Sequence, residues 1–279
     1  MSALPIVVRR SSLGDVVLAG AVTKALGACG FVTHPRHHEL VRRFYGVEAV
    51  YAPSDRLPPG SPVIDLHADW RTAVRHPFAR RVDPARVARH LRVAFKRPPP
   101  AGVVARYAAA AGVVAAQRPW LPPVRRGTTL IVAPGAAHRT KRWPGWAALA
   151  AAWDGPVRAI GGPGEEALVD AIGGVCERGF TRTLEAMEGG AVLAAGDTGL
   201  LHLGFAVGLP VVGVFGPTTS IDGFFGHVSP GEGAAVELDL PCRPCSRFGG
   251  DTCFLGDHAC MRGLPVEAVL AACRRMAAT

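Results

Sequence analysis

Short apolar runs alternate with stretches of helical spacing along most of the chain. Residues 6–9, 31–33, 49–51 and 63–66 read as strands, with helical spacing over 16–28 and 36–45. Residues 83–116 read as mostly helical, interrupted at Lys96-Arg97-Pro98-Pro99-Pro100. The stretch from Arg118 to Gly127 is rich in proline and charge, as hinges between domains are. Alternation then restarts with a strand at 130–132, a helix at 146–153, a strand at 157–160 and a helix at 165–172. Strands separated by helices predict parallel sheets with right-handed crossovers. The expected fold is α/β, two Rossmann-like domains facing a central cleft, with boundaries at 1–118 and 127–279 and no closer internal repeat.

Two strand-to-helix turns carry polar residues of interest. In 194–203 an apolar run ends at Gly196, and Asp197-Thr198-Gly199 opens a helix; a second apolar run follows and ends in Gly216-Pro217-Thr218. A helix start beside a strand end offers free N–H groups and a dipole that suit an anion such as a diphosphate. Asp197 or Thr198 would equally serve as a plain helix cap. Near the N-terminus, Ile6-Val7-Val8-Arg9-Arg10-Ser11-Ser12-Leu13-Gly14-Asp15 runs from a buried-type strand into a small-residue turn that carries one carboxylate into a helix. Asp15 also reads as a cap or as a base. One turn thus offers a base and the other an anion site, at equivalent positions of two α/β halves.

Length and composition narrow the class. A chain of 279 residues, 49% of them hydrophobic, has ample length to bury a core. No apolar run reaches the ~18 to 20 residues of a spanning helix, and the start lacks a basic leader, so a cytoplasmic location is expected. The formal charge of +9 is carried almost wholly by arginine, since Lys24, Lys96 and Lys141 are the only lysines. Such an excess favours phosphorylated sugars or membrane headgroups, or reflects solvated faces of an arginine-biased composition. With three tyrosines and no dense basic stripe interleaved with aromatics, nucleic acid is disfavoured.

Taken together, several segments resemble glycosyltransferase family 9, the ADP-heptose:lipopolysaccharide heptosyltransferases of GT-B fold. They are Ser11-Ser12-Leu13-Gly14-Asp15, the run from Asp65 to Thr72, Pro134-Gly135-Ala136, Lys141-Arg142-Trp143-Pro144, Gly161-Gly162-Pro163-Gly164-Glu165-Glu166, Asp197-Thr198-Gly199 with His202, and Phe215-Gly216-Pro217-Thr218. The resemblance implies an inverting transfer from ADP-heptose to an anionic glycolipid, at the inner face of the cytoplasmic membrane and without a catalytic cofactor. It implies Asp15 as base, kept ionised by the helix dipole, and Lys141 on phosphate. Ser12, Gly14, Asp197, Thr198, Gly199 and His202 would line the nucleotide-sugar site, with Glu165, or Glu166 beside it, on the ribose. Arg10, Arg71, Arg75 and Lys96 are the acceptor candidates, because arginine forks suit carboxylates and phosphates. Two other functions fit less of the chain: a sugar-nucleotide epimerase, which needs further acid and base groups, and a nucleotide-binding assembly protein with a degenerate site.

Four of the seven cysteines, Cys242, Cys245, Cys253 and Cys260, fall within nineteen residues. They would close a structural zinc or iron site or stand as four free thiols, because their spacing matches no standard zinc module. Cys29, Cys176 and Cys273 read as isolated buried thiols.

Overall fold

Each apolar run occupies a strand of a parallel sheet, where both faces are covered and strict alternation is not required. The computed structural model describes residues 3–97, 101–177, 179–221, 225 and 227–279. The N-terminal half runs β1 (Ile6–Val8), α1 (Leu13–Leu18), α2 (Gly20–Leu26), β2 (Cys29–Val32), α3 (His38–Val41), β3 (Val47–Tyr51), β4 (Val63–Asp65), α4 (Trp70–Arg75), β5 (Arg80–Arg81), α5 (Arg86–Phe95) and α6 (Val103–Ala111). Its five strands are parallel, in the order β3-β2-β1-β4-β5.

The C-terminal half runs β6 (Arg126–Ala133), α7 (Trp146–Ala151), β7 (Val157–Gly161), α8 (Glu166–Asp170), β8 (Val175–Cys176), α9 (Phe180–Ala186), β9 (Gly190–Gly196), α10 (Gly199–Ala206), β10 (Val211–Phe215), β11 (Gly233–Glu237), α11 (Ala259–Arg262) and α12 (Val266–Ala277). Its six strands are also parallel, in the order β11-β10-β9-β6-β7-β8. Each sheet is wound in both directions from its first strand, an arrangement that opens a crevice at the carboxyl ends of the strands.

The two halves share one apolar core. Val17, Leu18 and Phe31 of the first belong to the same buried cluster as Ile131, Leu201 and Phe205 of the second. The proline-rich stretch expected as a hinge is wedged into that core rather than spanning solvent. Trp120 and Leu121 are buried, the Trp120 ring meets Phe205 edge-on at 5.6 Å, and the Trp120 backbone N–H donates to the Ala206 carbonyl at 2.8 Å.

Local differences from the expected elements have physical causes. The helix expected over 16–28 divides at Ala19 into α1 and α2. The one expected over 36–45 shrinks to a 3-10 turn at Pro35–His37 and the four residues of α3. The chain there must close on α2: Gly46, at φ +82°, lies where a Cβ would stand 2.1 Å from the Thr23 carbonyl oxygen. The short or partly exposed edge strands β5, β8 and β11 carried no apolar run to reveal them. Met1, Ser2 and the break at Pro98–Pro100 lie outside the described residues. Among the described residues, no helix is long and apolar enough to cross a membrane.

Candidate active site

Asp15 occupies the first turn of α1, delivered there by β1. Its Oδ2 pairs with Arg9 Nη2 at 2.6 Å and accepts from Ser12 Oγ at 2.9 Å, while its Oδ1 accepts from the Tyr107 hydroxyl at 3.0 Å. Ser12 precedes the helix but spends its hydroxyl on this carboxylate rather than on a backbone cap. Burial alone would raise the Asp15 pKa; the Arg9 guanidinium and the two hydroxyls outweigh it and hold the carboxyl below the usual range. Paired charge and hydrogen bonds, more than the dipole of a six-residue helix, therefore keep Asp15 ionised. Two carboxylate oxygens offer about four acceptor sites. Oδ1, with Tyr107 its single partner among the described residues, has room for one more donor.

The facing turn is built at the end of β9. Asp197 Oδ2 pairs with Lys141 Nζ at 2.6 Å and accepts from Thr218 Oγ1 at 2.9 Å, and the Asp197 carbonyl also takes Lys141 Nζ at 3.0 Å. Burial would raise the Asp197 pKa, and Lys141 beside it more than reverses that. Thr198 precedes α10 with no side-chain cap bond, and its Oγ1 is buried without a partner among the described residues. Buried hydroxyls are normally satisfied, so this one is poised for a group the chain does not supply. Nearby, Glu165 packs so closely on Gly135 that a Cβ there would lie 2.0 Å from its carboxyl carbon, and its Oε2 accepts from the Gly162 N–H at 2.9 Å. Glu166 instead turns to the Gly164 N–H at 2.8 Å.

The two turns meet. A Cβ on Gly199 would stand 2.7 Å from the Leu13 side chain, so α1 and α10 interlock end to end through their small residues. His202 lies buried behind this contact, with its pKa lowered chiefly by burial. In front of it a cleft of about 840 Å³ opens between the halves, bordered by Asp15, Glu165, Thr198 and His202. Ser12, Gly14, Lys141, Asp197 and Gly199 line the same cleft.

The acceptor candidates lie elsewhere. Arg10 pairs with Asp69, and with Arg71 and Arg75 it lines a separate hollow of about 320 Å³ beside α4. Lys96 donates to the carbonyls of Cys242 at 3.0 Å and Pro244 at 2.7 Å, so its amine ties α5 to the C-terminal half. Asp65, in the family-like run, is structural: buried, it accepts from the His67 and Ala68 N–H groups and from Thr72 Oγ1. All seven cysteines are free, Cys176 only half-buried, and among the described residues no three His, Cys, Asp or Glu side chains converge to hold a metal ion. Cys242, Cys245, Cys253 and Cys260 as they stand do not form a ligand set. They are still near enough that, after burial, neighbouring thiols raise the pKa of Cys245.

Several cleft residues were not legible as such. Glu39 of α3 reaches across to accept from the Phe180 and Thr181 N–H groups at 3.1 and 2.6 Å, and Arg43 donates to Thr181 Oγ1 at 2.6 Å, latching the two halves. Arg247 and Phe248, stacked at 5.6 Å on the cysteine-rich loop, also face the cleft. Arg247 makes no ion pair among the described residues. No sequence signal joins residues so far apart.

Comparison with known proteins agrees with this geometry. The family model described as glycosyltransferase family 9 (heptosyltransferase) matches residues 105–249, more than half of the 279. A solved glycosyltransferase family 9 protein from Veillonella parvula DSM 2008 is 16% identical, covers 100% of this chain and 98% of its own, and superposes with a TM-score of 0.73. ADP-heptose lps heptosyltransferase II of E. coli is 14% identical over 99% of each chain, TM-score 0.69. E. coli heptosyltransferase WaaC, solved with ADP, is 18% identical, covering 88% of this chain and 95% of that one, TM-score 0.60. These likenesses establish the fold as GT-B. No curated protein matches the chain by sequence.

Proposed function

Because the chain belongs to glycosyltransferase family 9, we propose that this glycosyltransferase moves a heptose from ADP-heptose to an anionic glycolipid of the lipopolysaccharide-core kind. Residues 1–118 take the acceptor and 127–279 the nucleotide sugar. The observation that carries this reading is the meeting of two turns across one cleft, Asp15 on one side and the unpartnered Thr198 hydroxyl at the start of α10 on the other. A structure of WaaC holds ADP, which supports an adenine nucleotide donor here.

In this reading the acceptor hydroxyl donates to the open side of Asp15 Oδ1 and attacks the anomeric carbon from the face opposite the diphosphate. The bond to the diphosphate oxygen breaks, the sugar inverts, and the hydroxyl proton passes to Asp15, a step worth ~10²- to 10⁴-fold. Arg9, Ser12 and Tyr107 fix the carboxylate so that it works by placement. Charge gathering on the departing ADP falls on the N–H groups at the start of α10 and on Thr198 Oγ1, donors of a class worth ~3 to 4 kcal/mol each when preorganised. Lys141 acts from its pairing with Asp197, which sets the shape of that turn. Glu165 presents its remaining carboxylate oxygen to the ribose. No cofactor enters the transfer, and the acceptor is met at the inner surface of the cytoplasmic membrane.

The test is incubation with ADP-heptose and a heptose-free core glycolipid, followed by mass spectrometry of the glycolipid. A mass gain of one heptose, absent with Asp15→Ala, supports the proposal. ADP release with no glycosylated product overturns it.

A further inference from the structure

Helix α5 is turned inside out. Its inward, half-buried side carries Arg89 and Arg92 with Ala88 and Val93, while Val87, Leu91 and Phe95, spaced four residues apart, face solvent. Val87 is 73% and Phe95 67% exposed, and none of the ten residues of this helix is buried. A helix that belongs only to its own domain turns such a stripe toward the core. The neighbouring α4 repeats the pattern: Trp70 and Val74 project outward, and Phe78, one turn further on, is 99% exposed. A side-chain contact links the starts of the two helices: Arg86 Nη2 donates to the Ala68 carbonyl at 3.0 Å.

Positive charge predominates around these apolar stripes, since Asp69 at the start of α4 is paired with Arg10 and Asp83, just before α5, is the other nearby carboxylate in sequence. The segment Arg86–Phe95 contains no carboxylate, and exposed Arg71, Arg86 and Arg97 make no ion pair among the described residues. A basic helix with Phe and Leu on its outer face and low mean hydropathy has the composition of one that lies in a lipid headgroup region. Anionic lipid attracts such arginines, whereas a second copy of the same face would meet its own positive charge. Lys96, at the end of α5, is bonded to carbonyls of the C-terminal half, so this surface is fixed relative to both sides of the cleft.

We propose that the outward faces of α4 and α5 form a membrane-docking surface that seats the protein on an anionic phospholipid bilayer. The proposal rests on the reading that the acceptor is a glycolipid and names the surface by which the protein reaches it. The apolar side chains enter the headgroup boundary while the arginines pair with lipid phosphates.

The experiment is flotation of the full chain with vesicles of phosphatidylcholine alone or mixed with phosphatidylglycerol. Binding to the mixed vesicles alone, weakened by salt, is expected, and Leu91→Ser/Phe95→Ser should weaken it by about 10-fold or more. Phe78→Ser, outside any helix, gives a second variant that needs no helix to refold, and circular dichroism checks both. Absence of flotation with either vesicle overturns the proposal, as does equal flotation of wild type and both variants. A concentration-dependent dimer abolished by the double variant also overturns it, because the stripe would then cover a second copy. Flotation involves no sugar. Binding without heptose transfer therefore keeps the surface and removes the glycolipid reading, while transfer to the core glycolipid without vesicle binding removes the surface and keeps that reading.

Discussion

Gly14 and His202 touch where the two halves of the molecule meet: a Cβ on Gly14 would lie 2.9 Å from His202 Cδ2. The contact joins the turn that carries Asp15 to the helix that begins at Thr198, so the distance between base and anion site depends on the missing side chain. His202, buried and kept neutral by that burial, cannot easily give way.

Gly14→Ala should therefore misplace the two turns. Overpacking of this kind costs about 1 to 3 kcal/mol, partly offset by the better helix propensity of alanine. A displacement near 1 Å at a reacting centre costs about 100-fold in rate. Thermal melting should show a small loss of stability and steady-state kinetics a large fall in kcat. An unchanged kcat would mean that the contact does not set the spacing.

Tyr107→Phe removes the single donor to Asp15 Oδ1. Asp15 lies below the usual carboxylate range because its partners outweigh its burial, so losing one partner raises its pKa. The acid limb of the kcat/KM profile should move to higher pH, with little change in the plateau. A limb that stays in place would show that another group sets it.

Lys141 and Asp197 should behave as one unit. Lys141→Met leaves a buried carboxylate bonded to Thr218 but without its cation, a change worth about 3 to 5 kcal/mol. Asp197→Asn in the same chain removes that stranded charge, so urea unfolding of the double variant should show much of the stability restored. Additive losses would contradict the pairing.

Acid should destabilise the fold before it touches the carboxylates. Burial first, then nearby Arg36, His34 and His38, brings His37 down to about 4; burial and then His202 bring His227 down to about 3. Both folded values lie below the ordinary 6.5, so the unfolded chain takes up protons first as pH falls. The stability tied to neutral histidine is complete above about pH 6.5 and is lost below it. Asp15 and Asp197, whose folded values are also lowered, add their loss only at lower pH. Melting temperature followed from pH 8 to 4.5 should begin to fall near 6.5, and His227→Phe should flatten part of the slope.

The parts of this molecule legible in sequence are those that local chemistry dictates. The end of β9, the Asp197-Thr198-Gly199 turn and β10 stand out because a strand buried on both faces is a continuous apolar run and the turn between is polar. Family likeness in this turn and in the segments ending at Asp15 and Glu166 marked Asp15, Glu165 and Thr198 as residues to watch, and all three border the cleft. Pairings over long separations were hidden. Tyr107 reaches Asp15 from 92 residues away, and within Val103–Ala111 it reads only as one more helical position. Lys141 reads as a free cation until Asp197, 56 residues on, is placed against it. Helix α5 shows the limit of periodicity from the other side: residues 83–116 read as mostly helical, but which face of that helix turns outward is decided by packing.

The role of Asp15 as base is tested by the rate of acceptor-dependent ADP release by Asp15→Asn, made on protein shown by titration to bind ADP as tightly as wild type. If Asp15 takes the proton while the opposite turn holds the nucleotide, the rate should fall by ~10² to 10⁴. A rate close to wild type would place the base on another residue.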